Sequence, residues 1–122
     1  MKLLTGFLLV IYFFSSGCSK PTDATPSNNA AQLFVPTAFT PNGDGINDNF
    51  LIKSSLPLVY YHIKIYDNTN LRLYESSDYL NTGWDGKTNG ESEPAGSYLW
   101  SVEYQSDGAP KLTQNGYVQL IR

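Results

Sequence analysis

Beyond residue 32 the sequence predicts an all-β domain, and three observations carry that prediction. Short stretches alternate apolar and polar side chains with a period of two, and no window sustains the 3.6-residue apolar repeat of a helix. Aromatic residues are abundant: the whole chain has nine Tyr, two Trp and six Phe, some of the Phe in the N-terminal region, and such side chains favour a pleated, half-buried surface. Gly and Pro recur every few residues after Pro36 and cut the chain into segments too short for helices.

Leu33 to Phe39 forms a first extended segment, and Pro36, which lacks an N–H donor, assigns it to a sheet edge. Thr40-Pro41-Asn42-Gly43-Asp44-Gly45 is dense in turn residues, and Asn49 to Lys53 resumes extended structure. The clearest strand is Tyr60 to Asp67, with Tyr61, Ile63 and Ile65 on one face and Tyr60, His62, Lys64 and Tyr66 on the other. Asp67-Asn68-Thr69-Asn70 turns the chain into Leu71 to Glu75. Gly83 to Gly90 holds an Asp-Gly and an Asn-Gly pair and reads as a compact turn anchored in the core by Trp84. Pro94-Ala95-Gly96 leads into Ser97 to Gln105, where Tyr98, Trp100, Val102 and Tyr104 share one face. Ser106-Asp107-Gly108 reverses the chain into Lys111 to Thr113, and Tyr117 to Ile121 closes it. About seven short strands joined by such turns predict an antiparallel β-sandwich of immunoglobulin-like type.

The N-terminal region has a different character. One Lys precedes about a dozen apolar residues, Leu3 to Phe14, and then the small residues Ser15-Ser16-Gly17, the layout of an export signal. The run is shorter than the roughly 20 residues of a transmembrane helix. Cys18, the only cysteine, follows directly. Its position resembles the lipobox of bacterial lipoproteins, which implies cleavage between Gly17 and Cys18 and acylation of the thiol. In place of the usual apolar residue three positions before the cysteine, this chain has Ser15. The alternative is ordinary signal peptidase cleavage at the same bond, which would leave a free thiol in an oxidising compartment. Ser19 to Ala31 is rich in Ser, Thr, Asn, Pro and Ala and reads as a flexible linker. The expected organisation is therefore a signal peptide at 1–17, a tether at 18–31 and one domain at 32–122. A single cysteine excludes an internal disulfide.

The formal net charge of −3 is spread along the chain without a basic stripe, which argues against nucleic-acid binding. Candidate chemistry is sparse. Asn42, Asp44 and Asp48 place oxygen donors among glycines, as calcium loops do, but lack the closing Glu of an EF-hand. An Asx-rich turn capped by its own side chains accounts for them better. His62 lies mid-strand with no nucleophile motif beside it, and Glu91 and Glu93 fall in a polar turn. The stripe Tyr98, Trp100, Tyr104 could stack on sugars, yet its two-residue spacing fits a core face. The expectation is a protein with no catalytic constellation, no cofactor and no small-molecule substrate.

Several motifs together resemble a known family. Phe34-Val35-Pro36-Thr37-Ala38-Phe39-Thr40-Pro41-Asn42-Gly43-Asp44-Gly45-Ile46-Asn47-Asp48 is similar to the opening of the gliding-motility-associated C-terminal domain of Bacteroidetes, the type B sorting domain of type IX secretion. Ile65-Tyr66-Asp67, Gly83-Trp84-Asp85-Gly86, Pro94-Ala95-Gly96-Ser97-Tyr98 and Val118-Gln119-Leu120-Ile121-Arg122 continue the likeness in the same order. Where the family commonly has Arg-Trp-Gly-Asn after Ile-Tyr-Asp, this chain has Asn68-Thr69-Asn70-Leu71, and Asn70 can take the left-handed backbone of the replaced Gly. The resemblance implies a non-catalytic module that directs proteins to the cell surface. In this sequence only the linker separates Cys18 from the domain, with no cargo between them. The leading expectation is an exported lipoprotein, at the outer membrane or cell surface, facing either side. Its partner would be the type IX outer-membrane machinery or another cell-envelope protein. The alternative is a membrane-tethered carbohydrate- or calcium-binding module.

Overall fold

The structure, a computed structural model, describes residues 30–122. The signal peptide, the Gly17–Cys18 bond, Cys18 and the tether up to Asn29 lie outside the described residues. Nine strands follow in chain order: β1 (Leu33–Phe34), β2 (Ala38–Phe39), β3 (Lys53–Ser54), β4 (Leu58–Tyr66), β5 (Arg72–Ser76), β6 (Lys87–Thr88), β7 (Glu91–Ser92), β8 (Gly96–Ser106) and β9 (Leu112–Leu120). The described residues contain no helix, as the alternation requires.

The long strands β4, β8 and β9 form the middle of a five-stranded sheet in the order β2-β9-β8-β4-β5. Its pairs are antiparallel except β2 with β9, which is parallel. Register sets Tyr61 opposite Tyr104, Ile63 opposite Val102 and Ile65 opposite Trp100, with Tyr98 opposite Val118 on the next strand. All eight side chains are buried on one face. Phe39, Phe50, Ile52 and Trp84 cover that face and are themselves almost completely buried. Burying a side chain of this size stabilises a fold by about 1.5–3 kcal/mol. The opposing layer is thin. It consists of the β1–β3 and β6–β7 ladders and an isolated bridge in which Phe50 and Trp84 exchange backbone hydrogen bonds of 2.8 and 3.1 Å.

Four local features differ from the sequence reading. Leu33–Phe39 is not one strand: β1 pairs with β3, β2 pairs with β9 at the sheet edge, and Pro36 lies where the chain crosses between them. The two closing segments are a single strand, β9, because Gly116 continues the ladder opposite Trp100 rather than breaking it. A Cβ at Gly116 would come within 2.8 Å of the Trp100 indole, so glycine makes room for the ring. Asn89-Gly90 is a complete hairpin turn, with φ of 53° and 84°, joining β6 to β7. Ala31, read as the last residue of the linker, is buried, and its N–H donates to Ser106 Oγ at 3.1 Å.

The antiparallel packing gives the molecule two distinct ends. Leu58, Ser106 and Leu112 mark one, where the chain enters at Ala31; Tyr66, Gly96 and Leu120 mark the other. At about 3.3 Å per residue, β8 separates them by roughly 33 Å.

Candidate functional site

Loop 40–48 occupies the far end, starting from Phe39 beside Leu120. Its base is closed by Thr40 N–H donating to Asn47 O at 2.8 Å. The interior is organised by one carboxylate. Asp48 Oδ1 accepts from Asn42 N (3.2 Å) and Gly43 N (2.9 Å), and Oδ2 accepts from Gly45 N at 2.7 Å. The Gly45 bond foremost, with those of Gly43 and Asn42, holds the Asp48 carboxyl below the usual carboxylate range despite some desolvation. Asn42 Oδ1 accepts from Asp44 N at 3.0 Å, and Asp44 Oδ1 from Ile46 N at 2.8 Å. Gly43, Gly45 and Asn47 adopt φ of 78°, 83° and 51°, which wraps the backbone amides around Asp48. Asn42 Oδ1, Asp44 Oδ1 and both carboxylate oxygens of Asp48 thus accept from backbone N–H groups of the loop itself. No group of three His, Cys, Asp or Glu among the described residues is arranged to hold a metal.

The second half of the site is the turn after Gly83. Trp84 sits edge-on to Tyr98 with ring centres 5.1 Å apart, and 5.5 Å from Phe39. Its indole N–H donates to Lys87 O at 2.9 Å, and Asp85 Oδ1 accepts from Lys87 N at 3.0 Å. Gly86 is buried at φ 76°; a Cβ there would meet Leu120 Cδ1 at 3.0 Å and Pro41 Cγ at 3.2 Å. Arg122 closes the arrangement, donating from Nη2 to Gly86 O (3.2 Å) and from Nε to Glu93 O (2.9 Å). Tyr98 donates its hydroxyl to Pro94 O, and burial, then the nearby Glu93, pushes its pKa up. Gly96 opens β8 opposite Leu120.

Pro41, Asn42, Gly43, Asp44, Gly45, Asn47, Asp48, Trp84, Asp85, Gly86, Gly96, Tyr98 and Arg122, scattered in the sequence, therefore gather at one end of the fold. Pro41 against Gly86 joins the two halves. Ile46 and Ile121 stand exposed on this surface, at 67% and 49%. Below the loop, Phe34, Pro36, Asp48 and Lys53 line an open groove of about 1020 Å³.

The family model of the type IX secretion signal domain (CHU_C) matches residues 33–120. The chain belongs to this family. Membership gives it a sorting-related role involving the secretion machinery and makes it an exported protein of the Bacteroidetes cell envelope. No curated protein matches the chain.

Within this signal domain the other sequence candidates lie elsewhere. His62 Nε2 meets Glu75 Oε1 at 2.6 Å on the solvent face of the sheet, and Arg72 reaches the same carboxylate at 2.9 Å. The His62 hydrogen bond is the main cause of the lowered Glu75 pKa. Tyr98, Trp100 and Tyr104 are core residues rather than a stacking platform. Glu91 is exposed in β7, and Glu93 serves the site through its backbone, whose N–H also donates to Gly86 O at 2.8 Å. The sequence reading quoted Gly83 within its motif but not the close approach of its Cβ position to Phe50 O (2.3 Å), and it missed the carbonyls of Gly86, Glu93 and Pro94. Backbone acceptors leave no mark in a sequence; for Gly83 the available signal was the glycine itself, which here takes a φ of 83°.

Proposed function

We propose that this protein is a non-catalytic, exported lipoprotein whose signal domain is read by the secretion machinery at the end built from loop 40–48, the Trp84–Gly86 turn and Arg122. The convergence of the family motifs on that one surface is the observation that carries this reading. Their hydrogen bonds run almost wholly to backbone groups, so they fix a shape instead of assembling a reactive centre. A fixed shape suits recognition, since a preordered loop loses little entropy when bound. Ile46 and Ile121, exposed on a rigid frame, supply apolar contact. The burial of Tyr98, Trp100 and Tyr104 counts against the carbohydrate-binding alternative, and the backbone N–H groups on the Asx oxygens account for loop 40–48 as a self-capped turn.

Residues 1–17 act here as the export signal and Cys18 as the lipid attachment point. A fatty-acid analogue should label the wild-type chain and not Cys18→Ser. For the domain, a fluorescent reporter with an N-terminal export signal and residues 33–122 at its C-terminus, expressed in a gliding bacterium, should reach the cell surface. A reporter retained in the periplasm would overturn the proposal.

A further inference from the structure

We propose that the opposite end of the domain, carrying Leu56, Val59 and Leu80, rests on the lipid bilayer to which Cys18 anchors the chain. This inference depends on the lipid attachment proposed above. Val59 is the extra residue of a bulge in β4, where pairing with β8 shifts between Leu58 and Tyr60, and it projects to 61% exposure. Leu80 is 87% exposed and Leu56 39%. The three are not scattered. Val59 and Leu80 border a hollow of about 350 Å³, Leu56 and Val59 another of about 380 Å³, and Pro57 and Val59 are common to both. The two adjoining hollows thus bring Leu56, Val59 and Leu80 onto one end of the domain as neighbouring exposed apolar side chains.

The path of the chain identifies what covers it. Ala31 N–H donates to Ser106 Oγ, and Gln32 exchanges hydrogen bonds with Ser55, so the chain enters the domain beside Leu56 and Ser106. Residues 19–30 between Cys18 and Ala31 span at most roughly 40 Å when fully extended. A lipid on Cys18 therefore holds the bilayer within reach of this end at a high effective concentration. Asp107 borders the second hollow, and Asp78 accepts from Leu80 N–H at 2.9 Å. A second copy apposed through the same patch would bring these carboxylates together, whereas a zwitterionic surface accepts them beside apolar side chains. With this end on the lipid, the recognition end stands roughly a strand length, about 33 Å, above it.

The test uses the full, lipid-bearing chain in phosphatidylcholine vesicles containing acyl-brominated lipid, which quenches tryptophan only at short range. Trp84 and Trp100 are buried and give a constant background. Leu80→Trp should lose emission in brominated vesicles relative to unbrominated ones, and Ile46→Trp, at the far end, should not. Both positions are exposed, so neither exchange disturbs the core. Equal emission of Leu80→Trp in the two vesicle types, with the protein floating with the vesicles, overturns the inference alone. Failure to float overturns the lipid anchor and this inference with it. A dimer in sedimentation that Val59→Glu dissolves assigns the patch to a second copy and likewise overturns it.

Discussion

The two ends of this domain differ in how they turn the chain and in what they leave exposed. At the recognition end, the chain turns through left-handed glycines and asparagines, and side-chain oxygens hold backbone amides in place: Asp48 alone accepts three. Buried anchors, Trp84 and Leu120, lie directly beneath. At the tether end the oxygens of Ser55, Ser76, Asp78 and Ser106 also hold backbone amides, but few left-handed residues are used, Gly108 among them, and Val59 and Leu80 are left in solvent. Order at the first end comes from dense local hydrogen bonding over a filled core. The second end is defined by what it leaves uncovered.

The contrast can be broken most forcefully at Trp84. Trp84→Ala empties the space between Phe39 and Tyr98 and removes the bond to Lys87 O. We expect a loss of about 3–5 kcal/mol in denaturant unfolding; a variant close to wild type would mean that the thin layer contributes little. Next in size is Gly86→Ala, at φ 76° with Leu120 and Pro41 tight against the new Cβ. A cost of about 1–3 kcal/mol is expected for the strained backbone. It should exceed that of Gly43→Ala, which has similar φ but open space around it. Equal losses for the two would show that the Gly86 contacts are immaterial.

The third effect depends on pH. The folded-state pKa of Asp48 is depressed, so its contribution is complete above the unfolded value, about 3.9, and is lost as pH falls through the folded one. Melting temperatures of wild type and Asp48→Asn should differ at neutral pH and converge in acid. A constant gap would remove the carboxylate from its organising role. Smallest of all, Leu80→Ser should change solution stability by no more than about 0.5 kcal/mol, because the side chain is already exposed. A larger loss would place Leu80 in the core rather than on a free surface.

The comparison also explains what the sequence could reveal. Period-two alternation identified the buried faces of β4 and β8 residue by residue, since burial on one side of a strand leaves a direct record. Asn70 adopts φ 67°, as expected for an asparagine standing in for glycine. The motifs of the recognition end were legible as motifs, because turns that need left-handed backbones restrict residue choice. Their convergence was not, for it arises from tertiary pairs such as Pro41 with Gly86 and Arg122 with Glu93 O. The unity of β9 was hidden for the same reason: Gly116 reads as a break until Trp100 is seen lying over it. The tether-end patch gave no signal, since Val59 owes its exposure to a bulge in the pairing.

The central claim is that the machinery reads one end of the domain. The most direct measurement is surface delivery of the reporter fusion carrying a charge at either end, with folding checked by circular dichroism. Ile46→Asp with Ile121→Asp should hold the reporter in the periplasm, while Val59→Asp with Leu80→Asp should leave delivery intact. Normal delivery of the first pair, together with retention of the second, would contradict the account.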